Sequence, residues 1–399
     1  MLFLRLPPPC VVGLVVVDTG THWSTFGQVV IITLVQLGGL GVMTASMFIL
    51  IILRRPISFR DRFELREVSK AGGIQSVAGL IWATVLVTLL FEAVGAAALW
   101  YRMDGLEGNH RAIGMGVFHA VSAFNNAGFD LMPPFTNLTT YATDPFFLLV
   151  TALLVFFGGI GALVLMDIFS KRTWKALSQN SRIVLIASGI LLLVGFLGIL
   201  ATEFTNPKTL FPLSWHDKLV NAFFHSVTAR TAGFDSLSVA DFKDETQFLL
   251  MLLMYIGGAT GSTAGGIKVT TLAILVLASL AAVRGYEHAS VMGARLSHRL
   301  VYRAMSVAVL TLFVIFLATL VLTVSEEFLF RQVLFEVVSA FATVGLTTGI
   351  TPDLSLVGKL TIIVVMYLGR LGPLTLAYAL AQRAREPSYQ LPEREIGIG

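Results

Sequence analysis

The sequence predicts an all-α integral membrane protein of four pseudo-repeats, each a helix, a half-helix, an extended segment and a second helix, set around one axis. Three observations predict it. The 399 residues are 55% hydrophobic and 13% charged, against ~45–50% and ~25% in soluble domains, and the mean hydropathy is +0.81. Long apolar segments recur that can cross a bilayer core of about 30 Å, which takes about 20 residues. A glycine-centred pattern also returns in phase along the chain. A soluble enzyme is excluded, and the net charge of +4 does not indicate nucleic acid, because the basic residues punctuate apolar segments rather than cluster on a polar face. A single cysteine, Cys10, excludes an intramolecular disulfide framework and a cysteine-based metal centre.

The spans read as residues 26–53, 71–100, 145–169, 182–204, 248–283, 304–324 and 356–381. Between them lie three shorter, more polar stretches, 112–124, 216–229 and 328–342, which are too short to cross and predict re-entrant half-helices. Irregular backbone at membrane depth is tolerated only where protein buries it or it lines a watery cavity, so these stretches imply a pore or a substrate site. Arg54, Arg55, Arg60, Arg62, Arg66 and Lys70 follow the first span, Lys171, Arg172 and Lys175 the third, and Arg284, Arg295, Arg299 and Arg303 the fifth. The positive-inside rule makes these connections cytoplasmic, with the tail from Arg383 on the same side and the acid-leaning loops outside.

Self-similarity sets the repeat. FHAVSAFNNAGF from Phe118, FHSVTARTAGF from Phe224 and FEVVSAFATVGL from Phe335 align, and a cruder copy, VVGL, starts at Val11. Their glycines, Gly13, Gly128, Gly233 and Gly345, are 115, 105 and 112 residues apart. A second landmark keeps the same phase 24 to 30 residues later: small-residue breaks at Gly38-Gly39, Gly158-Gly159, Gly257-Gly258 and Gly369-Arg370. The repeats fall at 1–70, incomplete, then 71–181, 182–298, and 299–399 with the cytoplasmic tail.

Four parallel segments around one axis can form a single central cation pore. A permeating cation needs oxygen ligands in place of its hydration shell, and backbone carbonyls can supply them. Turning carbonyls toward an axis demands unusual φ, which glycine adopts at least cost. Each preceding half-helix aims its partly negative C-terminal end at the centre.

On these motifs, together with VVVDTGT from Val15, RTAGF from Arg230 and the small-residue loop at 257–268, the chain resembles the membrane subunit of the bacterial Trk/Ktr/HKT potassium-uptake superfamily, most of all the shorter Ktr type. The resemblance implies a selectivity filter of backbone ligands at Val11, Val12 and Gly13, at Asn126, Ala127 and Gly128, at Thr231, Ala232 and Gly233, and at Thr343, Val344 and Gly345. It implies an intramembrane gate loop carrying Gly257, Gly258, Thr260, Gly261, Ser262, Thr263, Gly265, Gly266 and Lys268. Small residues and free hydroxyls suit a mobile, water-lined gate. Arg370 replaces the second glycine of the break in the fourth repeat and reads as a gate element facing that loop, since a fixed cation there opposes ion passage. Also implied are K⁺ as cargo with sodium stimulation, a homodimer, and a cytosolic nucleotide-binding regulatory subunit. Against the family pattern, the stretch before Cys10 supplies neither an outer helix nor a half-helix, and Pro7, Pro8 and Pro9 break any helix there. The first repeat is therefore expected to be incomplete.

Other readings stand beside these. The filter glycines and Gly-Gly breaks could serve close helix packing. Lys268 follows glycines but lacks the spacing and soluble strand of a phosphate-binding loop. His119 and His225 occupy matching positions, with Glu336 in the third copy, and suit hydrogen bonds behind the filter better than a metal site. Arg230 is either a surface anchor at the pore mouth or a structural bond behind the filter. Asp18 and Asp130 either concentrate cations at the entrance or cap loops. The competing function, a secondary transporter coupling cation flow to a solute, calls for inverted repeats and mid-membrane ionisable groups, whereas the repeats here are parallel and only Glu92 and Arg370 lie well inside spans. No nucleophile, acid-base pair or metal cluster suggests an enzyme.

Overall fold

The computed structural model describes residues 12–40, 77–132 and 135–372, so Val11 of the expected filter and the residues before it lie outside the described residues, as do 41–76 and the tail. The described part is helical apart from one small hairpin. Its helices are α1 (Thr19–His22), α2 (Thr25–Gly39), α3 (Val77–Glu107), α4 (Asn109–Phe124), α5 (Pro145–Ile160), α6 (Ala162–Lys171), α7 (Gln179–Glu203), α8 (Trp215–Thr228), α9 (Asp244–Tyr255), α10 (Val269–Val283), α11 (His298–Ser325), α12 (Phe330–Ala342) and α13 (Leu356–Leu371). Between α10 and α11 a hairpin pairs β1 (Ser290–Val291) with β2 (Ala294–Arg295).

Ile81–Asp104 of α3, Gln179–Glu203 and His298–Ser325 are each long and apolar enough to cross a membrane alone. Side-chain oxygens start many of the spans by accepting an orphan backbone N–H of the first turn: Ser24 from Gly27, Asp144 from Phe147, Ser178 from Ser181, Ser297 from Leu300 and Ser355 from Gly358.

The expected half-helices are present as α4, α8 and α12. Each packs on the span before it and on an inner span of the preceding repeat: α4 on α3 and α2, α8 on α7 and α5, α12 on α11 and α9. This wedging buries their ends. From Phe335 to Ala342 every residue of α12 is buried, as is every residue of α8 from Phe224 to Thr228.

Two expected spans are not single rods. In place of a helix over 145–169, α5 and α6 meet at 91°. The corner is Gly161, at φ +88°, a left-handed conformation that only glycine takes without strain. In place of one span over 248–283, α9 and α10 are separated by the loop at 256–268. In the fourth repeat α13 stops at Leu371, capped by Gly372 at φ +81°. The break glycines Gly158 and Gly369 do matching packing work. A methyl on Gly158 would strike the carbonyl oxygen of Phe124, and one on Gly369 that of Phe341. Each lets an inner helix lie against the last turn of its own half-helix.

Candidate ion pathway

Each half-helix ends in a residue that reverses the backbone hand. Asn126, Thr231 and Thr343 have φ of +53°, +85° and +53°. The following N–H then turns back to the helix: Ala127 to the Ser122 carbonyl at 2.8 Å, Ala232 to that of Thr228 at 2.9 Å, and Val344 to that of Ser339 at 2.9 Å. These are helix-terminating left-handed caps, at non-glycine residues where that conformation costs ~1–2 kcal/mol. Two residues on, Gly128, Gly233 and Gly345 are again left-handed at φ +72°, +75° and +99°, as is Gly13 at +42°. Such strain recurs at matching points of three segments, as it does at ligand clamps and active sites.

The four glycines form a closed ring in chain order. A Cβ built on Gly13 would lie 3.3 Å from Gly128 Cα, one on Gly128 would lie 3.1 Å from Gly233 Cα, one on Gly233 would lie 3.0 Å from Gly345 Cα, and one on Gly345 would lie 2.9 Å from Gly13 Cα. Each would also crowd the middle carbonyl of the next segment: Ala127 O at 2.9 Å from Gly13, Ala232 O at 2.5 Å from Gly128, Val344 O from Gly233, and Val12 O at 3.2 Å from Gly345. Glycine is thus required twice at these points, by its φ and by the neighbouring carbonyl. The structure brings Val12, Ala127, Ala232 and Val344 together with the four glycines in one oxygen-bearing ring. Between the second and third segments, the Asn126 amide and the Thr231 hydroxyl hydrogen-bond at 3.2 Å.

Two sets of side chains hold the outgoing limbs. The first is a hydroxyl at one register of each half-helix: Ser122 Oγ donates to Phe129 O at 2.7 Å, Thr228 Oγ1 accepts from Phe234 N at 2.9 Å, and Ser339 Oγ accepts from Gly345 N at 3.2 Å. Sequence reasoning passed over these three, although their shared position in the aligned copies was a usable signal. The second set is the matched trio. His119 Nε2 lies 3.5 Å from Leu131 N, His225 Nε2 accepts from Leu237 N at 3.2 Å, and Glu336 accepts from Thr347 at 3.0 Å and from Thr351. These three therefore sit behind the segments as hydrogen-bonding groups, and no cluster suited to a metal is present among the described residues. Arg230 lies behind the third segment too, buried, with its guanidinium on the hydroxyl of Ser188 at 3.1 Å.

Asp18 caps α1, accepting from Thr21 N at 2.8 Å, and also binds Phe135 N at 3.1 Å across the mouth. Asp130 and Asp235 follow their glycines in the loops that leave the segments, outside any helix. Burial pushes the Asp130 carboxyl up to about 7, with the bond from the Met132 N–H opposing and the Asp18 charge adding. Burial and then the Asp130 charge push Asp235 up to about 8.

Beneath the ring, the loop at 256–268 touches the second, third and fourth repeats. Ala259 N donates to Gly159 O at 3.0 Å, and a Cβ on Gly161 would meet Gly261 O at 3.1 Å. A Cβ on Gly265 would meet Ala342 O at 2.9 Å and would strike the Thr343 hydroxyl, so the loop lies directly under the fourth segment. Within the loop, Gly257 N donates to Ile267 O at 2.8 Å, Val269 N to Gly258 O at 3.1 Å and Ser262 Oγ to Ala259 O at 2.7 Å. Lys268 Nζ donates to Ala264 O at 2.5 Å, and Thr260 and Thr270 hydroxyls pair at 2.9 Å. Gly266 has φ +67° and the Thr263 hydroxyl is buried without a partner. Arg370 reaches in from α13, donating to Thr263 O at 2.5 Å and to Gly38 O of α2.

Comparison with known proteins gives the family and the fold. Residues 1–391 match the TrkH family, described as cation transport proteins. The chain belongs to the TrkH family. This TrkH-family chain is 38% identical over 398 residues to the Ktr system potassium uptake protein B of Bacillus subtilis, covering 100% of this chain and 89% of that one. It is also 38% identical over 404 residues to the potassium/sodium uptake protein NtpJ of Enterococcus hirae, covering 100% and 89%. The crystal structure of the potassium transporter TrkH from Vibrio parahaemolyticus superposes with a TM-score of 0.72 at 20% identity, over 93% of this chain and 75% of that one. The fold is thus that of a TrkH-family membrane protein, and the family is one of cation transporters.

Proposed function

We propose that this chain is the pore subunit of a potassium-uptake system in the bacterial inner membrane, conducting K⁺ through the ring at 12–13, 126–128, 231–233 and 343–345. The observation that carries the reading is the closed ring in which each segment's glycine abuts the next segment's middle carbonyl. Carbonyls held by packed neighbours replace a cation's water at little reorganisation cost. The relatives' names supply potassium as cargo and sodium as a second ion.

The loop at 256–268 is the gate and Arg370 its latch. One guanidinium spans α2, the loop and α13, so releasing it frees the loop from two repeats at once. Lys268 holds the loop's own fold through Ala264. The chain works as a homodimer, one pore per subunit, with a cytosolic nucleotide-binding subunit docking on the basic connections that include the 290–295 hairpin. Support for these partners is the resemblance to the Ktr type together with the basic residues of those connections.

Rubidium uptake into proteoliposomes holding the purified chain tests the reading, with sodium as competitor. Rubidium flux that potassium blocks more strongly than sodium is the expected result. A folded protein with no cation flux overturns it.

A further inference from the structure

One buried acid takes no part in the pathway described so far. Glu92 sits in the middle of α3, 5% exposed. Its Oε1 accepts a hydrogen bond from Asn125 Nδ2 at 2.7 Å. The same nitrogen lies 3.1 Å from Gln36 Oε1 of α2 and 2.9 Å from Val121 O. Three acceptors thus surround an amide nitrogen that carries two hydrogens. The other atom of that amide, Asn125 Oδ1, is buried and has no donor. It lies against the backbone of α2, where a methyl on Gly39 would strike it. The neighbouring Gly38 carbonyl receives Arg370, and Asn125 itself immediately precedes Asn126, the first residue of the second segment.

A carboxylate in mid-membrane is expensive, and a neutral acceptor would satisfy one N–H more cheaply. What the carboxylate adds is a charge-assisted bond and a surplus of acceptors. Rotating the Asn125 amide would turn its oxygen onto three acceptors, so the side chain is locked in one orientation. We propose that Glu92 is a positioning residue of the pore: acting through Asn125, it holds the second segment against α2, and ion discrimination depends on that hold. The inference rests on the filter reading above.

The test is the rubidium-to-sodium flux ratio in proteoliposomes for the parent chain and for Glu92→Met, Glu92→Gln and Gln36→Met, with thermal melting of each. Replacing a mid-span carboxylate by methionine lowers the cost of insertion, so Glu92→Met is expected to fold. It should lower the ratio about fivefold, the scale of one lost hydrogen bond. Glu92→Gln, which keeps the acceptor oxygen, should recover part of it, and Gln36→Met should lower the ratio by a smaller factor. Folded Glu92→Met and Gln36→Met proteins that both keep the parent ratio overturn the inference, even if their melting points fall. A parent chain without discrimination would overturn the filter reading instead, so the two failures are distinct.

Discussion

The guanidinium of Arg370 and the carbonyl oxygen of Thr263 are 2.5 Å apart, a bond between the inner helix of the fourth repeat and the loop of the third. With Gly38 O on the same side chain, two charge-assisted bonds tie α13 to the loop and to α2. Such bonds contribute about 1.5–3 kcal/mol each.

Removing them should therefore favour the open loop. Arg370→Gln is expected to raise rubidium flux into liposomes by about tenfold or more, since ~1.4 kcal/mol is one decade in an equilibrium. Arg370→Lys is expected to raise it less, because one ammonium keeps the charge but cannot fork between two carbonyls. Unchanged flux in Arg370→Gln would remove the latch.

A methyl at Gly128 would sit 2.5 Å from Ala232 O at a φ of +72°. Gly128→Ala should abolish the discrimination of potassium over sodium, read as the ratio of tracer fluxes. Gly114→Ala, where nothing lies within 4 Å of the added methyl, serves as control. It is expected to leave the ratio intact and to stabilise α4 by up to ~1 kcal/mol, the helix propensity difference.

Thr228 Oγ1 ties Phe234 N at 2.9 Å, holding the outgoing limb of the third segment. Thr228→Val keeps the shape and leaves a buried N–H unpaired, which costs about 1–3 kcal/mol. The expected outcome is a lower melting temperature together with a reduced flux ratio. A lower melting temperature alone would place Thr228 in the scaffold and not in the filter.

Glu326, at the outer end of α11, offers a stability test. Burial pushes its carboxyl up, but bonds from the Ser355 hydroxyl and N–H and from Ser325 outweigh this and hold it below its ordinary 4.5. A depressed carboxyl contributes stability that is present above the unfolded value and lost as pH falls through the folded one. Melting curves on the acid side of 4.5 should converge for the parent and Glu326→Gln, and separate at neutral pH with the parent more stable.

Spans and half-helices were legible because lipid imposes length and apolarity on the one, and burial among other helices permits polarity in the other. Register was legible because two motifs kept phase. The right angle at Gly161 was not, since a hydropathy run has no direction and the Gly158-Gly159 break beside it suits close helix packing equally well. Arg230 could not be placed from sequence because its partner, Ser188, lies 42 residues away in α7. The tethers Ser122, Thr228 and Ser339 escaped for a related reason: hydroxyls in helices are common, and only the distance to a backbone group six or seven residues on distinguishes a tether from a filler. Asp18 showed the same ambiguity in a loop, and its bond to Thr21 N makes it a cap.

The ring of Gly13, Gly128, Gly233 and Gly345 is closed by one polypeptide and not by four identical ones. In a pore of identical subunits every substitution is made four times, and its energetic effect is multiplied with it. Here a change at Val12, Ala127, Ala232 or Val344 alters a single quadrant. If this ring is the filter proposed above, ion preference can be adjusted in small, separable increments, and three intact quadrants hold the geometry while the fourth is varied.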